Sequence, residues 1–445
     1  MSQHFLGAGP RLLGRSAARL AGVGSVVAVT ALAVSAPDGA LFASASAGGG
    51  GQIVVSPGSG TLQKAMDAAG PGTTLRLHGG TYNGAVNAHK SGTASAPITI
   101  EPYGDGAVTV TANLPAPNCK RTSPDPNRTF RFDNGVDYWT ISNLRIVGGV
   151  WVSARNGGGA QHYIGRSFDA GTWQERRSIP GRGSYDPVAA KNAIAELSRR
   201  TGSSIDPADG IKIVNNDITS RGIHTIAARY GAISGNEIHN TVCGIGPGVW
   251  INTYSDGWTV ANNYIHDITP SPAPIHHYMY EGVRLGSASA YNRVEFNRVA
   301  GIASDGRAFN TDVDASWNTF SHNNASGVAI GYNDQASGWG NVWSNNTVDQ
   351  PRAAGFSFRM KDATLAKPSM NTSTYKSVVT CNRVSGSGVA MQAGALIQTT
   401  FKSNYFGTVA LSNNLQRYWG AEGNTWNGSK AVPPAHPVAP AASSC

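Results

Sequence analysis

An apolar residue, an asparagine three positions later and a second apolar residue two further on recur along this chain. The unit reads Ile213, Asn216, Ile218, then Ile233, Asn236, Ile238, then Val260, Asn263, Ile265. It continues as Val294, Asn297, Val299 and as Phe320, Asn323, Ala325. Weaker copies follow at Trp343, Asn346, Val348, at Val379, Asn382, Val384 and at Phe401, Asn404, Phe406. An earlier rung, Ile141, Leu144, Ile146, has Leu at the asparagine position. The asparagines lie 20 to 36 residues apart, as a fixed turn joined by elastic loops would place them. A Gly-apolar step recurs between them, at Gly222-Ile223, Gly244-Ile245, Gly282-Val283, Gly301-Ile302, Gly327-Val328 and Gly355-Phe356. Each repeat therefore predicts two or three short strands, turning at Asn and restarting at Gly.

One such coil cannot bury its apolar face alone, so the coils must stack. Stacking aligns the asparagines, and their amides can then hydrogen-bond one to the next, which satisfies polar groups inside a buried turn. A parallel β-helix follows. A sandwich would show hairpin alternation and a propeller a uniform blade length, and the sequence has neither. Ahead of the repeats, Thr61 to Ala69 places Leu62, Ala65, Met66 and Ala69 on one helical face. Pro71-Gly72 ends that helix, which would cover the open end of the solenoid against edge pairing.

Composition agrees with many short strands. Of 445 residues, 55 are Gly and only 14% are charged, while 40% are hydrophobic, enough for a large core. Arg11, Arg15 and Arg19 precede an apolar run from Leu20 to Val34, too short to span a membrane. Small residues follow, with Ala43-Ser44-Ala45 or Ala45-Ser46-Ala47 as cleavage sites. Residues 1–47 thus read as an export signal and short linker, and the mature chain as secreted. Loss of residues 1–45 lowers the formal charge from +9 to +7. Cys119, Cys243, Cys381 and Cys445 are too widely spaced for a zinc knuckle or redox pair. Export permits disulfides, and four cysteines allow three pairings. Cys243 and Cys381, lying in strand-like repeats, equally suit small buried hydrophobes.

Leu62-Gln63-Lys64-Ala65-Met66, Pro71-Gly72-Thr73 and Gly80-Thr81-Tyr82 resemble the opening of pectate-lyase-like right-handed β-helix proteins. Ser91-Gly92-Thr93-Ala94-Ser95-Ala96-Pro97-Ile98-Thr99-Ile100 is similar to the chondroitinase B and alginate lyase branch of that group. With the repeats, the resemblance covers most of residues 52–427. It implies a single-stranded right-handed parallel β-helix over residues 48–430, and the Pro/Ala-rich composition of 431–445 separately predicts a flexible tail. The fold hosts lyases, hydrolases, epimerases and inert adhesins, so it does not fix a reaction.

An insertion from Ala154 to Asp209 breaks the repeat. Asp186-Pro187 would start a helix there that runs to Arg200 and stops at Gly202. Arg166, Arg176, Arg177, Arg182, Lys191, Arg199 and Arg200 would either hold an anionic polymer or form a solvated face.

Aligning the segments after each Gly-apolar step gives candidate chemistry. The next residue reads His224, Gly246, Arg284, Ala303, Ala329 and Ser357, with Asp305 and Arg359 two positions further in their rows. Glu281, Arg284, Asp305 and Arg307 fall on adjacent coils, with Arg359 and Lys361 along the same face. Such a set suits β-elimination of a uronate polymer, which needs a cation on the C6 carboxylate, a base for the C5 proton and a proton for the leaving oxygen. Calcium held by Glu281 and Asp305 would supply the cation, or Arg284 alone. Lys361 or Arg307 would be the base, Lys the more easily. Tyr280, His276 and His277 would give the proton. His224, Tyr280, His277 and Arg359 are the expected substrate contacts. A plain Glu281–Arg284 ion pair is the structural alternative.

Glu281-Gly282-Val283-Arg284-Leu285-Gly286-Ser287 and Val294-Glu295-Phe296-Asn297 are similar to a stretch of the chondroitinase B-like lyases. In those enzymes the next coil carries calcium-binding glutamates and a Lys base, and the one after it Arg-His-Gly. Here these places read Asp305-Gly306-Arg307-Ala308-Phe309-Asn310 and Gly331-Tyr332-Asn333, so that catalytic set does not carry over.

A glycoside hydrolase would need paired carboxylates, for which Asp305, Asp312 and Asp314 are available. Asp256 and Asp314 more simply read as turn residues before Trp258 and Trp317, and His239 and His266 as structural members of the repeat. A non-catalytic glycan-binding solenoid is the third reading. No nucleic-acid recognition motif is present. The expected partner is an acidic polysaccharide, with no membrane after signal removal and a monomeric state.

Overall fold

The computed structural model describes residues 50–115, 127–155, 194–195, 198, 202–241, 247–268, 280–286, 288–303, 305–312, 315–335, 338–368, 373–386, 388–441 and 444–445. The leader region, Cys119, Cys243, Asp186-Pro187, His276, His277 and Asp314 lie outside the described residues. So do Arg166, Arg176, Arg177, Arg182, Lys191, Arg199 and Arg200 of the insertion.

Three parallel sheets run the length of the molecule, with 13, 11 and 11 strands among the described residues. Each coil contributes one strand to each sheet in turn, and every strand pairs with the next coil in parallel register. The short strands arise because each apolar triplet ends at a turn. Apolar members point into one continuous core, with Ile213, Ile233, Val260, Val294, Phe320, Trp343, Val379 and Phe401 all fully buried.

The asparagine column forms as the repeat requires. Asn216, Asn236, Asn263, Asn297, Asn323, Asn346, Asn382 and Asn404 are linked Nδ2 to Oδ1 at 2.9–3.1 Å, each also donating to a backbone carbonyl where the core strand ends. Leu144 heads the column by giving its backbone N–H to Asn216 Oδ1 at 3.0 Å. The residue before each of these asparagines is left-handed, at φ 55–57° for Asn215, Asn262, Phe296, His322 and Cys381. A second, shorter ladder, Asn292 to Asn318 to Asn341, lines the turn after the third sheet.

The helix Thr61–Ala68 is present and buries Leu62, Ala65 and Met66 at the N-terminal end. At the other end the helix Asn413–Tyr418, capped by Ser412 Oγ on Leu415 N–H, covers the last coil with Leu415 and Trp419. The expected flexible tail is instead held down. Val409 N–H donates to Ala435 O, Tyr405 Oη to Ala441 O, and Cys445 is disulfide-bonded to Cys381. A solenoid has a second open edge, and the tail blocks it. Cys381 is accordingly a cross-link and not a small buried hydrophobe. Among the described residues no helix is long and apolar enough to cross a membrane.

Candidate functional site

The third sheet carries the chemistry, and its register departs from the Gly-apolar alignment. His224, Trp250, Arg284, Asn310, Asn333, Ser357 and Gln392 are successive partners across the coils. Two kinds of glycine had been superposed. Gly282, Gly331 and Gly355 sit where an added Cβ would meet Val299, Val348 or Val384 at 2.4–2.5 Å. Gly301 and Gly327 instead serve turns at φ 62° and 59°. Arg284 therefore aligns with Asn310, not Ala303, and with Asn333, not Ala329.

Glu281 and Arg307 are register partners, and with Arg284 they form one network. Arg284 Nη1 donates to Glu281 Oε2 at 3.0 Å, and Nη2 to Asp312 Oδ2. The guanidinium also lies 4.8 Å from the Trp250 ring centroid. Arg307 Nη1 reaches Glu281 Oε1 at 3.5 Å and Gln335 Oε1 at 2.7 Å. Arg359 Nη1 donates to the Gln335 carbonyl at 2.7 Å, and its Nη2 is ion-paired with Asp362 Oδ2 at 2.5 Å. Guanidiniums and carboxylates thus alternate along four coils.

Accessibility divides this network. Glu281 is 0% exposed and Arg284 3%, so both act as buried struts. Burial raises the Glu281 carboxyl above its ordinary value, with Arg284 and Arg307 opposing. Arg284 is raised by Asp312 and Glu281, which overcome its own burial. Beyond Arg284 a cleft of about 280 Å³ opens. Its floor is Asn333, Ser357 and Gln392, and its walls include Arg307, Gln335, Arg359 and Lys361. Asn333 Nδ2 donates to Asn310 Oδ1 at 2.6 Å and Gln392 Nε2 to Ser357 Oγ at 3.1 Å, so the floor is amide and hydroxyl. Lys361 is exposed at the lip, on the single turn Met360–Asp362. Partial desolvation and the Arg359 charge draw its ammonium below its ordinary value, against the pull of Asp362, Asp312 and Asp334. The Nε–H of Arg307 is buried without a hydrogen-bond partner.

The remaining expected residues fall elsewhere. Tyr280 belongs to the main core, 3% exposed, and its hydroxyl is raised by burial and then by Asp305. It does not face the cleft. His224 is 2% exposed between Trp151 and Trp250, at ring distances of 4.8 and 4.5 Å. Burial, then Arg128 and Arg284, hold it well below the usual imidazole value, so it is neutral. Arg359 is 4% exposed and braces the cleft wall through its hydrogen bond to Gln335 and its ion pair with Asp362. Asp305 is exposed in the turn before Arg307. The donors for calcium do not fit: both Glu281 oxygens face guanidiniums, and among the described residues no three His, Cys, Asp or Glu gather. Asp256 accepts the Ala290 N–H at 2.7 Å, as a turn residue would. Gln335 and Gln392 escaped the sequence reading, and Asn333 entered it without a role; its place in the row of Arg284 becomes visible once Gly331, not Gly327, is aligned with Gly282.

Coil order and the asparagine ladder define a right-handed parallel β-helix. A family model described as a right-handed beta helix region matches residues 201–369. Over 108 residues the chain is 29% identical to pectate lyase PEL9 of Emericella nidulans, a match covering 23% of this chain. The matched part spans about a quarter of that enzyme's length, 26%. Alginate lyase from Paenibacillus sp. str. FPU-7 superposes with a TM-score of 0.45 at 16% identity, covering 81% of this chain and 97% of that one. The GH136 lacto-N-biosidase from Eubacterium ramulus does so at 0.42 and 10%, covering 76% of this chain and 60% of its own. At such identities the likeness is one of fold alone.

Proposed function

We propose that this chain is an exported, carbohydrate-active β-helix that cleaves a uronate-containing polysaccharide by β-elimination in the third-sheet cleft. The observation that carries this reading is the pairing, in one cleft, of the Arg307 guanidinium with Lys361, whose ammonium is drawn below its ordinary value. Glu281 and Asp334 are 0% exposed, whereas Lys361 is exposed, so the most accessible charge of the cleft is a cation. An anionic substrate meets that charge at the lip.

In the proposed step Arg307 holds the C6 carboxylate and stabilises the charge that builds on it as the C5–H bond breaks. The neutral Lys361 amine takes that proton. The electron pair forms the C4–C5 double bond, the C4–O bond breaks, and the new Lys361 ammonium returns the proton to the departing oxygen. Atoms and charge balance without a second acid. The amide floor fits sugar hydroxyls, for which Asn and Gln supply both donors and acceptors.

The test is to incubate the protein with a panel of uronate polysaccharides and follow ultraviolet absorbance. A rise reports the unsaturated uronyl end that elimination makes. New reducing ends without absorbance would mean hydrolysis, and silence in both would leave a binding solenoid; either outcome contradicts the proposal.

A further inference from the structure

The third sheet's outward row should be solvent-facing along its whole length, yet its N-terminal half is covered. Trp151, His224 and Trp250 occupy successive outward positions and are 4%, 2% and 5% exposed. Side chains of this size on an outer face reach such burial only when further chain lies over them. Described residues of the insertion cover the first of them: Ile194 and Ile205 pack with Trp151, Ile226, Ala227, Tyr254 and Ala288 in a cluster distinct from the main core, and His224 and Trp250 stack on from Trp151. Ser198 Oγ donates to Ile194 O and accepts the Ile205 N–H, both at 3.0 Å, which ties these two residues into one patch. The row then runs through Arg284, pinned between Glu281 and Asp312 beneath Trp250. The cleft opens only past this point, from the coil of Arg307 to that of Gln392. Three coil steps span about 14 Å along the axis.

We infer that the apolar cluster around Ile194 and Ile205, with the Trp151–His224–Trp250 stack, walls off one end of the cleft, so that the protein works on polysaccharide chain ends and releases short products. A groove open at both ends lets a polymer lie across it and be cut anywhere. A groove closed after a few sugar units admits only a terminus. This inference rests on the β-elimination reading for its product, but the wall itself does not.

Two measurements separate them. On a long uronate polymer, one small unsaturated product from the earliest times, with viscosity falling slowly, is expected. A rapid viscosity loss with a ladder of intermediate oligomers would overturn end-directed cleavage. The double variant Ile194→Asp, Ile205→Asp, checked for an unchanged melting transition of the main core, should shift the product pattern toward that ladder. The wall is read without activity by acrylamide quenching of tryptophan fluorescence. The double variant should expose Trp151 and gain quenchable emission, and unchanged quenching would contradict the wall. If no polymer yields an unsaturated product while quenching increases, the reaction assigned to the cleft fails and the closed end stands.

Discussion

At the scale of single residues, the charged network separates a catalytic role from a supporting one. A lysine with a lowered pKa is neutral at lower pH than usual, and in the proposed step the neutral amine is the base. Activity should therefore rise with pH and level off below the ordinary lysine value of about 10.4. Lys361→Met should lose about 10²–10⁴-fold in kcat, and Lys361→Arg should not rescue it, because arginine keeps its proton. A pH–rate profile of the two variants against the parent checks this. Arg284 behaves differently. Removing it leaves Glu281 charged and buried beside a single longer contact, so Arg284→Met should cost about 3–5 kcal/mol in denaturant unfolding. Adding Glu281→Gln to it should recover part of that loss, which a double-mutant cycle reads.

At the scale of elements, the asparagine column decides where each strand stops. Asn323 accepts from Asn297, donates to Val294 O at 2.8 Å and to Asn346 at 3.1 Å, and is almost wholly buried. Asn323→Ala orphans these groups and should destabilise by about 2–4 kcal/mol, visible as a lower urea midpoint with unchanged slope. This column was legible in the sequence because its members recur in fixed register with apolar neighbours. The second ladder had an equally plain signal, since Asn292, Asn318 and Asn341 each stand two residues before Val294, Phe320 and Trp343. It was hidden by the stronger pattern beside it. The glycine pattern misled for a physical reason. One glycine avoids a clash with a valine on the facing sheet and another permits a left-handed turn, and a sequence shows both as Gly followed by an apolar residue. That slip moved the rows by seven residues at Ala303 and four at Ala329. The cleft floor thus stayed illegible, whereas Glu281, Arg284 and Arg307 were still brought together.

At the scale of the whole molecule, the solenoid must end twice, and each end uses a different device. The N-terminal helix was readable from its amphipathic spacing. The C-terminal closure was not, because a Pro/Ala-rich tail carries no periodicity and its anchor is a cysteine 64 residues from its partner. Closing a loop of that length should stabilise by about 4 kcal/mol in the chain-entropy model. Cys445→Ser should lower the melting temperature and expose the last coils first, as hydrogen exchange at Phe401 and Val409 would show.

The formal charge excess, the cleft and its destabilised lysine converge on the proposed claim, that Lys361 performs an elimination. The most direct measurement records absorbance and reducing ends together on uronate polymers, for the parent and Lys361→Met side by side. The account predicts one unsaturated end for each new reducing end in the parent, and neither in the variant. Reducing ends that outnumber unsaturated ends, or a variant as active as the parent, would contradict it.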